Sequence, residues 1–102
     1  MTKEKISIIV PCYNEQEALP FFYEEISKVL KSLKNYDYEL VFVNDGSKDN
    51  TLEKIRTLAN KDNIVRYISF SRNFGKEAAI YAGLKNAHGD KIVIMDVVNV
   101  NY

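Results

Sequence analysis

Four short apolar runs constrain this chain more than any other feature. Each is stopped by a polar loop, and helix-spaced residues separate each from the next. The runs fall at residues 6–10, 39–43, 64–70 and 91–95. They are rich in β-branched and aromatic side chains and bounded by turn formers, which is the pattern of buried strands. Pro11 is expected to end the first. The second stops at Asn44, Asp45, Gly46 and Ser47, strong turn chemistry directly after a strand. Between the first two runs, Leu19, Phe22, Ile26, Val29, Leu30 and Leu33 recur at helical spacing, with charged residues between them. Asn14 with Glu17, and Asn50 with Glu53, have the spacing of capping boxes. Pro20 is best tolerated in a first turn, so the first helix is expected to start near Leu19. Leu52, Ile55, Leu58 and Ala59 give a second helix ending near Lys61. Residues 76–88 hold Ala78, Ala79, Ala82 and Ala87 with Ile80, Tyr81 and Leu84. Apolar groups on most faces predict a well-buried third helix, ended by Gly89.

The order is therefore βαβαβαβ. It predicts an α/β fold, a parallel sheet with right-handed crossovers and helices on both faces. All four strand-to-helix loops then share the carboxyl edge of the sheet. With strand order 3-2-1-4, a crevice opens there between strands one and four.

Composition removes several function classes. The 102 residues carry fourteen basic and fourteen acidic side chains, so no net charge marks a nucleic-acid partner. Cys12 is the only cysteine, which rules out an internal disulfide and suits a reducing compartment. The N-terminus has no apolar segment of signal-peptide type, and no run approaches a membrane span.

The predicted edge collects carboxylates (Glu15, Asp45, Asp96), cations (Arg72, Lys76) and small polar groups (Asn44, Ser47, Asn73). Carboxylates suit a base, a ribose or a divalent ion, and the cations suit phosphates. Together they point to a nucleotide carrying a diphosphate. Neither G-x-x-x-x-G-K-[ST] nor a G-x-G-x-x-G after the first strand is present, which disfavours a P-loop enzyme and an ordinary dinucleotide dehydrogenase.

Four stretches carry a more specific signal: Ile-Ile-Val-Pro-Cys-Tyr-Asn-Glu (8–15), Val-Asn-Asp-Gly-Ser-Lys-Asp-Asn-Thr (43–51), Ser-Arg-Asn-Phe-Gly-Lys-Glu-Ala-Ala (71–79) and Gly-Asp-Lys-Ile-Val-Ile-Met-Asp (89–96). In this order they resemble the N-terminal half of family 2 glycosyltransferases. The resemblance is strongest to the bactoprenol glucosyltransferase and dolichol-phosphate mannose synthase branch, which moves a sugar from a nucleotide donor to a polyprenyl phosphate. It implies the nucleotide-binding half of a GT-A, Rossmann-like fold. It also implies roles: Pro11, Tyr13 and Glu15 lining a nucleoside pocket, Asp45 on the base (uracil in this branch), and Arg72 and Lys76 near the diphosphate. Asp96 would open an Asp-x-Asp motif holding Mg²⁺ or Mn²⁺. The implied partners are a UDP-sugar and a polyprenyl phosphate, and the implied place is the cytoplasm at the inner face of the membrane.

The departure from the pattern is Val98, which stands where the second Asp belongs and offers a cation nothing. The chain then ends at Tyr102 without the pattern's Leu-Gln-Asp-Pro-Pro continuation. These features predict a single truncated domain over 1–102, inactive as a transferase by itself. They also predict a bare edge over residues 92–98 through which copies pair into a homo-oligomer. The competing readings are a non-catalytic nucleotide-binding or interaction module, and a flavodoxin-like domain, which would need a fifth strand.

Overall fold

The computed structural model describes residues 3–97, so expectations for Val98 and the rest of 98–102 lie outside the described residues. Seven elements follow in the expected order: β1 (Glu4–Cys12), α1 (Leu19–Ser32), β2 (Tyr36–Asn44), α2 (Thr51–Lys61), β3 (Val65–Ser69), α3 (Lys76–Asn86) and β4 (Lys91–Ile94). The four strands form one parallel sheet in the order β3-β2-β1-β4.

Strand alternation explains the layers. Ile8, Val10 and Cys12 of β1, with Leu40 and Phe42 of β2, point to one face and pack against Leu19, Phe22, Ile26 and Leu30 of α1 and Ile55 and Leu58 of α2. Ile9, Val41 and Val43 point to the other face, against Ala79 and Ala82 of α3. The two central strands are buried on both sides, which is why they read as continuous apolar runs and not as alternating ones. Gly83 explains the closeness of α3: a Cβ there would stand 2.4 Å from Ile9 Cγ2.

Several local expectations are corrected. Pro11 does not end β1; it lies within the strand, in register with Val43. Ile9 C=O accepts from Met95 N (2.9 Å), so by alternation the Pro11 nitrogen faces the same side, where β4 has already ended at Ile94. The missing N–H therefore breaks no ladder bond. Neither capping box forms. The first residue before α1 is Ala18, and Asn14, at φ 53°, is bound instead to the loop after β2. Asn50 does precede α2, but Asp49 Oδ1 accepts from Thr51 N (2.9 Å) in its place. The third helix is not buried all round. Ala79 and Gly83 are buried, while Tyr81 is 63% and Leu84 42% exposed. Gly89 does not end it, since the helix stops at Asn86 with Ala87 extended. Val29, expected on the inner face of α1, is exposed.

Candidate nucleotide cleft

The carboxyl ends of the strands are tied together before any ligand is considered. The β1–α1 and β2–α2 loops bond reciprocally. Asn14 N donates to Ser47 Oγ (2.9 Å) and Lys48 N to Asn14 Oδ1 (2.8 Å). Glu15 N donates to Thr51 Oγ1 (2.8 Å), Gln16 N to Asp49 Oδ2 (3.3 Å) and Asn50 N to Gln16 Oε1 (2.9 Å). Asp45 ties in the third loop. Its carboxylate accepts from Phe74 N (2.7 Å), Gly75 N (3.0 Å) and Asn73 Nδ2 (3.1 Å). It is 4% exposed, a buried charge satisfied by N–H groups just ahead of α3, where the helix macrodipole also favours an anion. Gly46 makes the approach possible. At φ 67° it is left-handed, and a Cβ there would fall 2.1 Å from the Arg72 carbonyl carbon.

A cleft of about 230 Å³ opens on this edge. Pro11, Cys12, Tyr13 and Glu15 line it from the end of β1 and its loop, Asp45 from the end of β2, Lys76 from the head of α3, and Asp96 and Val97 from the residues after β4. Six of the seven site residues expected from sequence thus meet in one concavity. Arg72 is not among its lining residues; its guanidinium lies over the Phe74 ring, 4.5 Å from the centroid. Lys76 Nζ pairs with Asp96 Oδ1 at 2.6 Å, both side chains being more than half exposed. The Glu15 carboxyl is pushed above the usual carboxylate range by burial and then by the charges of Asp49 and Asp96. Burial, followed by Glu15, likewise raises the Cys12 thiol, which makes it an inert apolar wall and not a nucleophile.

The donor set does not fit an ion held by the protein alone. Among the described residues, no three His, Cys, Asp or Glu side chains are grouped to share a metal. The Asp45 oxygens are taken by N–H donors and an Asp96 oxygen by an ammonium.

Sequence reasoning placed Asn73 on this edge without its bond to Asp45, and gave Asn14 a capping role in place of its bonds to the next loop. Among the residues that hold the cleft it missed Gln16, Asp49 and Thr51. Their signal was the density of Asn, Asp, Ser and Thr in 44–51, side chains that bond to nearby backbone. It also missed Glu39, at the opposite edge. That carboxylate is 2% exposed and accepts from Ser7 Oγ (2.6 Å), His88 N (2.7 Å) and Arg66 Nη1 (2.8 Å). Nearby lies a larger groove of about 580 Å³, rimmed by Lys3, Lys5, Lys31, Lys34 and Arg66. Its size does not make it the site: it surrounds a fully paired carboxylate, whereas the smaller cleft collects residues from the carboxyl ends of three strands and the head of α3.

The model of the family described as glycosyl transferase family 2 matches residues 7–97, nearly the whole chain. The chain belongs to glycosyl transferase family 2. This family 2 domain is 52% identical, over 93 residues, to a prophage bactoprenol glucosyl transferase homolog of Escherichia coli (strain K12); the match covers 91% of this chain and 30% of that protein. Among solved structures it resembles S. aureus TarS 1–349, with a TM-score of 0.76 and 28% identity over 91% of this chain and 27% of that one. TarS 1–349 has also been solved in complex with UDP. The domain further resembles the mannosyltransferase PcManGT of Pyrobaculum calidifontis, solved with GDP-Man and Mn²⁺, with a TM-score of 0.72 and 25% identity over 95% of this chain and 28% of that one. The architecture is therefore the Rossmann-like N-terminal region of a GT-A glycosyltransferase. The domain spans about 30% of the length of the curated relative it matches. Among the described residues, no helix is long and apolar enough to cross a membrane.

Proposed function

We propose that this domain binds the nucleotide of a UDP-sugar in the 230 Å³ cleft. It would supply the donor-binding part of an enzyme that transfers the sugar to a polyprenyl phosphate at the cytoplasmic face of a membrane. One observation carries the reading: Tyr13, Glu15, Asp45, Lys76 and Asp96, from loops after three strands and the head of α3, line one cleft. The acceptor reading rests on the likeness to a bactoprenol glucosyl transferase homolog, and the donor reading on the likeness to TarS, which has been solved with UDP. The half-exposed Tyr13 ring offers a stacking surface beside Pro11 for the base. Asp45 lines the cleft and, with its oxygens held by Asn73, Phe74 and Gly75, fixes the loop that delivers Lys76. In the transfer, an acceptor phosphate oxygen forms a bond to the anomeric carbon as the bond from that carbon to the UDP oxygen breaks. The electron pair leaves on UDP, where an ammonium stabilises the growing charge.

The 102-residue chain alone is a binding unit without transferase turnover, a reading supported by Val98 at the second Asp position. It self-associates through β4, whose apolar residues are exposed.

The test is thermal unfolding with UDP. At a hundredfold excess over its dissociation constant, UDP adds about 2.7 kcal/mol. For a domain of this size that raises Tm by roughly 10 °C or more. An unchanged Tm at millimolar UDP refutes the reading.

A further inference from the structure

One structure of similar fold has been solved with GDP-Man and Mn²⁺ and another with UDP, yet among the described residues this cleft lacks a matching set of ion ligands. Its carboxylates are accounted for one by one. Asp45 is spent on Asn73, Phe74 and Gly75. Asp96 carries Lys76 at 2.6 Å. Glu15 is the third, and the sequence after Asp96 adds no acidic side chain as far as Tyr102. Among the described residues, the one cation lining the cleft is the Lys76 ammonium.

We infer that Lys76, seated on Asp96, takes the place of the divalent ion, and that the domain binds a nucleoside diphosphate without metal. The inference rests on the nucleotide reading above. An ammonium has three N–H donors. One on Asp96 leaves two for phosphate oxygens, so Lys76 bridges carboxylate and diphosphate as an ion between them would. The side chain is more than half exposed, so it reaches a ligand without any rearrangement of the core. Its backbone begins α3, so the positive end of the helix lies beside the same anion. An exposed ion pair adds little to stability. The pair with Asp96 therefore matters for where it holds the charge, and removing it leaves the fold intact.

The experiment is calorimetric titration of the purified 102-residue chain with UDP, in EDTA and in MnCl₂, for the wild type and for Lys76→Ala and Lys76→Arg. The expected result is a wild-type Kd that agrees within about twofold with and without Mn²⁺. Lys76→Ala should weaken binding at least tenfold in EDTA, with partial recovery in Lys76→Arg, which keeps the charge but spreads it over a planar group. Circular dichroism should show all three folded alike. Binding that appears only with Mn²⁺, or a Lys76→Ala variant that binds as well as wild type in EDTA, overturns this inference and leaves the nucleotide reading standing. No UDP binding under either condition overturns both.

Discussion

Asp45 and Glu39 are two buried carboxylates with different consequences, and each belongs to one end of the sheet. Asp45 was legible as a site residue because a strand ended beside it in turn chemistry. Its main present occupation was not legible, since the partners, Asn73 Nδ2 and the N–H groups of Phe74 and Gly75, are about thirty residues away. Asp45→Ala leaves these donors without an acceptor and should cost about 2–3 kcal/mol in urea unfolding. Asp45→Asn keeps one acceptor oxygen and should cost clearly less. Glu39 gave no sequence signal at all; it sits in an apolar run and was read as a strand residue. Burial pushes its carboxyl upward, but bonds from His88 N, Ser7 and Arg66, with the Arg66 charge, outweigh that and hold it at about 2. A depressed carboxyl stabilises the fold fully above its ordinary pKa of about 4.5, and the contribution disappears as pH falls through the folded value. Unfolding free energy of the wild type, measured from pH 5 down to pH 2, should therefore lose on the order of 3 kcal/mol more than that of Glu39→Gln. Parallel curves would show that Glu39 is not the group responsible.

At the scale of elements, strands and their order were readable because both faces of β1 and β2 are covered, giving long apolar runs. Helix α3 was read less well. Its alanines are small because the helix lies close against Ile9, not because it is enclosed, and only Ala79 and Gly83 are buried. Composition reports the size of side chains and not which side of a helix meets solvent. The capping boxes failed for a related reason: Asn14 and Gln16 find partners in the neighbouring loop, and spacing along the chain cannot show a partner across it. The closeness of α3 can be tested. Gly83→Ala would gain up to about 1 kcal/mol in helix propensity. It also drives a Cβ to 2.4 Å from Ile9 Cγ2, a buried branched atom with no room to turn away. Overpacking of this kind costs about 1–3 kcal/mol. We expect net destabilisation, with Ile9→Ala in the same chain costing less than the sum of the two single changes because it makes room for the new methyl group. Strict additivity in denaturant titration would mean that the two residues do not press on each other.

At the scale of the whole molecule, the sheet has two edge strands of different character, β3 and β4. β3 packs against α2 and carries the polar Arg66 and Ser69 with a part-exposed Tyr67, whereas β4 presents Ile92, Val93 and Ile94 at 44%, 39% and 46% exposure. Among the described residues, pairing with β1 satisfies one side of its backbone only, and by register Ile92 and Ile94 share the α3 face while Val93 takes the opposite one. A short apolar strand with a free row of N–H and C=O groups is a template for another strand. A second copy of the same edge is the most available partner, because an antiparallel pair across a two-fold axis satisfies both copies equally. The apolar run of 91–95 was visible in the sequence, but a run buried on both faces and one bare on both faces look alike there, so the expectation of a bare edge came from the family resemblance and not from the run itself. Sedimentation equilibrium of the 102-residue chain should show a mass that rises with concentration toward the dimer. Ile92→Lys with Ile94→Lys should hold it at the monomer mass, because two charges on one face would have to be buried in the paired sheet. Since neither position lines the cleft, UDP binding should survive in this variant, separating assembly from ligand recognition. A wild-type chain that remains monomeric at the highest soluble concentration would show that the exposed edge is not used for pairing.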